Sequence, residues 1–355
     1  MSAVGSLNLL ALPDRSRLSY SALFTLVFFC WYFFTSIFTQ SEGFWIRKVL
    51  GVLSSVLIYC FVLLFFKNSK QFEIVETCLL AIGIGTSTYV WFFYLTGDLE
   101  YLLRQGYDKE NSGLPGYLVI GSASAIATII LMLRPSVMSI LIAGFTFLPL
   151  LAIGARGPTV FCILCILISY AFLFREYVTT NTKLLKSVLV VITFFLVLTY
   201  MLDLQVSQLL TQRLGAIFTD ENILAATGRL DVFEKTLVII SENFFLGTGI
   251  GSYGALAYGS DTNIYPHNLF LEAWAESGLI GLLLFTISCL MTFRCALRSI
   301  DDRSGLIWFS LLLFVSLNFL KSGGFIWTRD LYFMAGVAIA YSTLRSREQA
   351  SVKSG

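Results

Sequence analysis

The chain's only histidine, His267, sits where a polar stretch meets a long apolar run, in Tyr265-Pro266-His267-Asn268. A neutral imidazole there can take a proton from an attacking hydroxyl. Proline suits the first turn of a helix, so the spacing predicts His267 at the N-terminus of a helix beginning near 268. The positive end of that helix would disfavour imidazolium and keep the ring neutral. A lone histidine is more often a satisfied structural residue, and that reading stands beside the first. Glu272 and Glu276 follow four residues apart on one helical face, with Asn268 above them. Carboxylates in an apolar helix are costly and usually face a polar cavity. The bland alternative leaves both solvated in the outer turns.

Arg156 interrupts an apolar stretch in Gly154-Ala155-Arg156-Gly157-Pro158, and Arg229 lies in the longest polar stretch. Guanidinium binds phosphate bidentately, so arginines converging on one membrane face suit a lipid pyrophosphate. Lys321 and Arg329 read instead as interfacial anchors that snorkel. Gly249-x-Gly251-x-x-Gly254 has the letters of a dinucleotide fingerprint, but no strand precedes it and no βαβ unit surrounds it. Two readings remain for these glycines: a tight turn, or a cradle of backbone amides for a phosphate. Cys162 and Cys165 spell C-x-x-C. Inside an apolar helix they read as packing residues, not a redox or metal pair.

The elements that must position these residues follow from hydropathy. Of 355 residues, 57% are hydrophobic and 13% charged, and the mean hydropathy is +0.79. A water-soluble domain of this size needs more charge on its surface. A net charge of +2 is too small to suggest a nucleic-acid partner. Apolar runs long enough to span a bilayer fall near 18–39, 48–66, 75–96, 115–133, 136–155, 157–174, 184–202, 268–293, 305–320 and 329–344. The expected fold is an all-α polytopic membrane protein of about ten transmembrane helices, one membrane domain over 1–355. The first helix reads as retained and not as a signal peptide, because no small-residue cleavage site clearly follows it. With both termini inside, the inner segments hold 14 of the 24 basic residues, as the positive-inside rule asks. Residues 203–267 then form one sizeable external loop with three basic residues against seven acids. Within it, Thr227-Gly228 can cap an amphipathic helix whose Leu230, Phe233, Leu237 and Ile240 share a face.

Ala155-Arg156-Gly157, Gly228-Arg229, the glycine run, His267-Asn268 and, nine residues on, Gly278-Leu279-Ile280-Gly281 occur in an order that resembles the O-antigen ligase and polymerase superfamily. The resembling region runs from about 140 to 285, and its most specific piece is His-Asn-x9-Gly-x-x-Gly. The resemblance implies a GT-C-like glycosyltransferase of the bacterial inner membrane, multi-pass, with cytoplasmic termini and a periplasmic site. The implied donor is a glycan on undecaprenyl diphosphate. The implied acceptor is lipid A-core for a ligase, or another repeat unit for an O-antigen or exopolysaccharide polymerase. Chemistry without metal or cofactor is implied, as are membrane lipid and a chain-length regulator as partners. Carried over, Arg156 and Arg229 hold the pyrophosphate, His267 is the acceptor-side base, and Asn268, Glu272, Glu276, Gly249 and Gly251 are supporting or acceptor-side residues.

The chemistry agrees with that assignment, since undecaprenyl diphosphate leaves readily once its charge is stabilised, and two arginines can supply that. Polymerase and ligase stay open, because both need the same donor chemistry. A lipid-linked oligosaccharide flippase or other export transporter is the competing class. It often shows inverted repeats or broken helices, which the sequence does not display, and it needs no external His-Asn pair. A non-enzymatic scaffold leaves Arg156, Arg229 and His267 unexplained, and a protease lacks an evident nucleophile.

Overall fold

The computed structural model describes residues 14–99, 116–134, 136–177 and 220–354. Every regular element among them is helical. In chain order these are α1 (Asp14–Phe34) with a 3-10 turn (Thr35–Phe38), α2 (Phe44–Phe65), α3 (Ser69–Thr96), α4 (Tyr117–Met132), α5 (Val137–Ala152) and α6 (Arg156–Tyr177). There follow α7 (Asp220–Glu242), α8 (Tyr253–Tyr258), α9 (Leu269–Ala296), α10 (Arg303–Ser322) and α11 (Arg329–Ser354). Nine of the ten expected spans coincide with one of these helices. The remaining one, 184–202, lies outside the described residues, as does 203–219 of the expected loop.

Among the described residues, six helical segments are long and apolar enough to cross a membrane, those within α1, α2, α3, α6, α9 and α10, while α4 and α5 are apolar but shorter. The chain is an all-α polytopic membrane protein. α2 shows why. Leu50, Leu53, Leu57, Phe61 and Leu64 recur at three- and four-residue spacing and are exposed, while Val52, Ser55, Tyr59 and Val62 recur on the opposite face and are buried. An exposed stripe of that length would be a liability in water; facing lipid it costs nothing, because lipid tails are as apolar as leucine.

The chain divides into two compact units. The first comprises 1–69, 236–299 and 324–355, so that α1, α2, α9 and α11 pack together. Its core is aromatic. Phe28 meets Phe285 at a centroid distance of 5.2 Å and Phe325 at 5.5 Å, and Tyr32 meets Phe325 at 5.0 Å. Phe29 meets Tyr332 of α11 at 4.6 Å.

The second unit comprises 70–235 and 300–323 and holds α4, α5, α6, α10 and nearly all of α3. Small and hydroxylated residues join its helices, as expected where close backbone approach replaces hydrophobic collapse. Gly83 of α3 lies against the Ala123 carbonyl of α4. Ser87 donates to Ser124 at 3.0 Å, Thr128 and Thr146 share a hydrogen bond of 2.8 Å, and Ser169 and Ser310 share one of 2.5 Å. Cys162 and Cys165 are buried and unbonded to one another.

α7 corrects the expected amphipathic helix. It begins at Asp220, so Thr227 and Gly228 lie inside it and do not cap it. An interior glycine costs only about 1 kcal/mol. The buried side is Thr236, Ile239 and Ile240, whereas Leu230, Phe233 and Leu237 are exposed. Ile239 and Ile240 pack with Tyr253 and Ala275, and the Thr236 and Tyr253 hydroxyls meet at 2.9 Å.

Candidate functional site

The site in the first unit is built where α9 breaks. Gly278 adopts φ 68°, ψ −170° inside the helix, a region open essentially to glycine alone. The break frees backbone groups that an apolar setting cannot leave unpaired. The loop after α7 takes them up: Thr248 N donates to the Ala275 carbonyl at 3.0 Å, Gly249 N to the Glu276 carbonyl at 2.9 Å, and Leu279 N to the Phe244 carbonyl at 2.9 Å. Trp31 of α1 donates its indole N–H to the Ser277 carbonyl at 2.9 Å.

This explains the glycine run. A side chain at Gly247 would strike the backbone of Glu276 and Gly278, and one at Gly251 the backbone of Trp45; at Gly249 it would strike the backbone of Thr39. All three glycines have φ between 75° and 91°. The amide-cradle reading is corrected here. The N–H groups of Gly247, Thr248, Gly249 and Ser252 donate to protein carbonyls, and that of Ile250 donates to the Thr35 hydroxyl. These donors are committed to the fold.

The Gly278 position yields a direct expectation. Gly278→Ala should lower stability by at least the roughly 1–3 kcal/mol of backbone strain, since its Cβ would also strike the Phe245 carbonyl and the Gly247 amide. Gly85→Ala, whose Cβ would meet open space, is the control. Thermal denaturation in detergent checks the pair.

The loop continues through α8 to Asp261. Its carboxylate accepts from the Ser41 hydroxyl at 2.5 Å, Gly43 N at 2.7 Å and Phe44 N at 3.1 Å. It therefore caps α2 from a distant part of the sequence, satisfying donors that every helix N-terminus leaves over. The Ser41 hydroxyl, followed by the Phe44 and Gly43 amides, holds the Asp261 carboxyl below its ordinary range. Thr39 donates to the Ile250 carbonyl at 2.7 Å, and Gln40 N donates to the Ser252 hydroxyl at 2.8 Å. The end of α1 and the starts of α2 and α9 thus lie at one end of the unit.

His267 stands at that end, exposed, with φ 58°, the one non-glycine residue of positive φ among the described residues. α9 starts one residue later than expected. Asn268 is its N-cap, accepting from Phe270 N at 2.9 Å and Leu271 N at 3.2 Å. Asparagine is among the strongest N-caps, so Pro266 and His267 stay outside the first turn. The His267 ring packs against Tyr265 at 4.6 Å with an interplanar angle of 62°. Burial, then the charge of Glu272, raises the Tyr265 phenol above its ordinary range, so it remains a neutral hydroxyl.

Glu272 and Glu276 are fully buried, which removes the solvated reading. Lys48 of α2, itself buried, reaches Glu272 at 2.5 Å and Glu276 at 2.7 Å. Glu276 also accepts from the Tyr32 hydroxyl at 2.5 Å, and Glu272 from Phe325 N at 3.1 Å. Both carboxylates are committed to an ion network joining α1, α2, α9 and the 3-10 turn before α11. Sequence reading missed Lys48, which stands at the edge of a span. The signal was available, since two acids in the outer turns of an apolar helix require a cation at the same level.

In the second unit, Arg156 opens α6 and is exposed. The ammonium of Lys321 lies beside the next residue, so that a Cβ at Gly157 would meet it at 3.1 Å. Lys321 is therefore a neighbour of the Arg156 turn and not only an anchor, a relation that the sequence separation concealed. Arg329 keeps the anchor reading, its guanidinium 6.0 Å from the Trp327 ring. Arg229 falls within α7, and its side chain lies outside the described residues. The first unit thus brings together His267, Asn268, Glu272, Glu276, Gly249 and Gly251, while Arg156 and Arg229 belong to the second.

Residues 140–286 match the family model described as O-antigen ligase. The match spans Arg156, Arg229, the glycine run, His267 and Gly278 through Gly281, within one residue of the bounds expected from the motifs. A comparison with curated proteins gave no match.

Proposed function

We propose, from the match of residues 140–286 to the O-antigen ligase family model, that the chain transfers a glycan from undecaprenyl diphosphate to an acceptor sugar. The observation that carries this reading is the exposed His267, held in a left-handed backbone conformation just outside a capped helix, within the matched region. An acceptor hydroxyl attacks the anomeric carbon of the donor. The bond from that carbon to the diphosphate oxygen breaks, the hydroxyl proton passes to the His267 imidazole, and undecaprenyl diphosphate leaves. Arg156 and Arg229 hold the pyrophosphate and stabilise the charge it gains. Lys321 adds a cation beside the Arg156 turn. The end of the first unit that carries His267 faces the periplasm, and both termini are cytoplasmic, as the basic-residue distribution asks. The acceptor is a second repeat unit for a polymerase, or lipid A-core for a ligase.

The test is transfer from a synthetic undecaprenyl-diphosphate glycan by the purified chain in nanodiscs. Arg156→Lys and Arg229→Lys should insert and fold yet lose most transfer, since lysine lacks the planar fork. Wild-type rates in Arg229→Lys and Arg229→Ala together would reduce that residue to an anchor. The glycan profile of a deletion strain separates the two acceptors. Single repeats still attached to lipid A-core mean a polymerase, and carrier-linked chains with nothing attached mean a ligase. Loss of a secreted polymer with lipopolysaccharide unchanged means exopolysaccharide polymerisation.

A further inference from the structure

A left-handed φ at a residue with a side chain costs of order 1–3 kcal/mol and persists only where the surroundings enforce it. His267 pays that cost at φ 58°, so its surroundings can be followed outward. Its ring rests on Tyr265. The Tyr265 ring in turn lies on Gly324, where a Cβ would meet it at 2.9 Å and 3.0 Å. Gly324 precedes Phe325, whose amide is held by Glu272 and whose ring is seated among Phe28, Tyr32 and Phe285. Glu272 is held by Lys48, and Lys48 by Glu276. The links from Tyr265 to Gly324, from Phe325 to Glu272 and from the carboxylates to Lys48 join residues distant in sequence, and all belong to the first unit.

We propose that Lys48, Glu272 and Gly324 are positioning residues that set the orientation of the His267 imidazole through Phe325 and Tyr265. Buried ion networks are inefficient stabilisers, and apolar residues of similar volume often serve as well or better. What a charged, hydrogen-bonded network adds is geometry, because Lys48 can satisfy both carboxylates in few arrangements. Glu272 thereby fixes the Phe325 amide, the preceding glycine and the floor on which Tyr265 lies. Glycine is required at 324 because any side chain would lift Tyr265, and His267 with it.

The inference rests on His267 being the acceptor-side base, but one arm of its test does not. Because the chain has a single histidine, protein labelled with 13C and 15N at histidine gives one imidazole signal, read in nanodiscs without any substrate. Gly324→Ala and Glu272→Gln should each shift or split that signal, while Gly85→Ala leaves it in place. In transfer assays, kcat should fall about ten- to hundredfold, the scale of an ångström-level misplacement, with KM for the lipid-linked donor unchanged, and Gly324→Ala should melt close to wild type. If Glu272→Gln fails to fold, Gly324→Ala carries the test, and Tyr265→Ala, which removes the ring, should reproduce its spectrum. An unmoved imidazole signal in Gly324→Ala, or a raised KM with intact kcat, overturns the proposal. If the wild type transfers no glycan, the function proposed above fails, and the imidazole signal alone decides whether these residues position His267.

Discussion

His267→Ala should cut glycan transfer by roughly 10²–10⁴-fold, the usual contribution of a positioned general base, while leaving the protein folded. The separation of effects follows from the local structure. The side chain is exposed, so removing it opens no cavity, and alanine should relieve no more than part of a strained backbone. α9 should still start at Asn268, whose carboxamide accepts the Phe270 and Leu271 amides. Binding of undecaprenyl diphosphate should survive, because the proposed pyrophosphate contacts are arginines elsewhere. Wild-type transfer should weaken towards acid pH as the imidazole takes up a proton and can no longer accept one. The variant should lose that limb of the profile along with the rate. Purified protein in detergent, assayed for melting, lipid binding and turnover, checks all three. Turnover at the wild-type rate would remove the base from the proposed reaction, and the buried carboxylates could not replace it without breaking their pairing with Lys48.

Lys48→Met should be the most damaging of the conservative-volume substitutions. It leaves Glu272 and Glu276 buried with two charges and only the Phe325 amide and the Tyr32 hydroxyl as donors among the bonds described above. Removing one partner of a buried ion pair costs roughly 3–5 kcal/mol, because the remaining charge is uncompensated. The triple variant Lys48→Met, Glu272→Gln, Glu276→Gln should recover most of that loss, since it removes every charge and keeps the shapes. Melting temperatures in one detergent, measured for wild type, single and triple variants, decide the matter. A single variant as stable as wild type would mean that the carboxylates are not charged in the folded protein.

Hydropathy located the spans but not their faces. In a soluble helix the apolar stripe points inward, so periodicity gives orientation. In α2, Leu57 faces out and Val62 faces in, and both are apolar, so the phase is lost. What marked the inner face was the buried polar residues, Lys48, Ser55 and Tyr59. The candidate pair His267-Asn268 stood out because a sole histidine at a loop–helix junction contrasts with an apolar background. The glycine letters were legible too, but their purpose was not. Gly247, Gly249 and Gly251 meet backbone from distant parts of the chain, and no local pattern encodes a partner across the fold. The break at Gly278 was hidden for the same reason, since the apolar run continues through it. Asn268 as the cap, ahead of Pro266 as a first-turn residue, was a competition between two local preferences that the hydrogen bonds of the carboxamide decided.

The break in α9 also divides the helix by its relation to the bilayer. The whole element has 28 residues, or about 42 Å at the usual rise of 1.5 Å per residue. That is well beyond a hydrocarbon layer of about 30 Å. Below Gly278 the segment Leu279–Ala296 measures about 27 Å by the same rise and nearly fills that layer by itself. The turns above, with Glu272, Glu276 and the loop amides bonded to the Ala275 and Glu276 carbonyls, then stand at head-group level. Changes in membrane thickness would be answered by tilt of the lower segment about Gly278, and the upper turns would keep their register with Lys48 and Phe325. The Lys48, Glu272 and Phe325 contacts would then be the same in membranes of differing lipid composition.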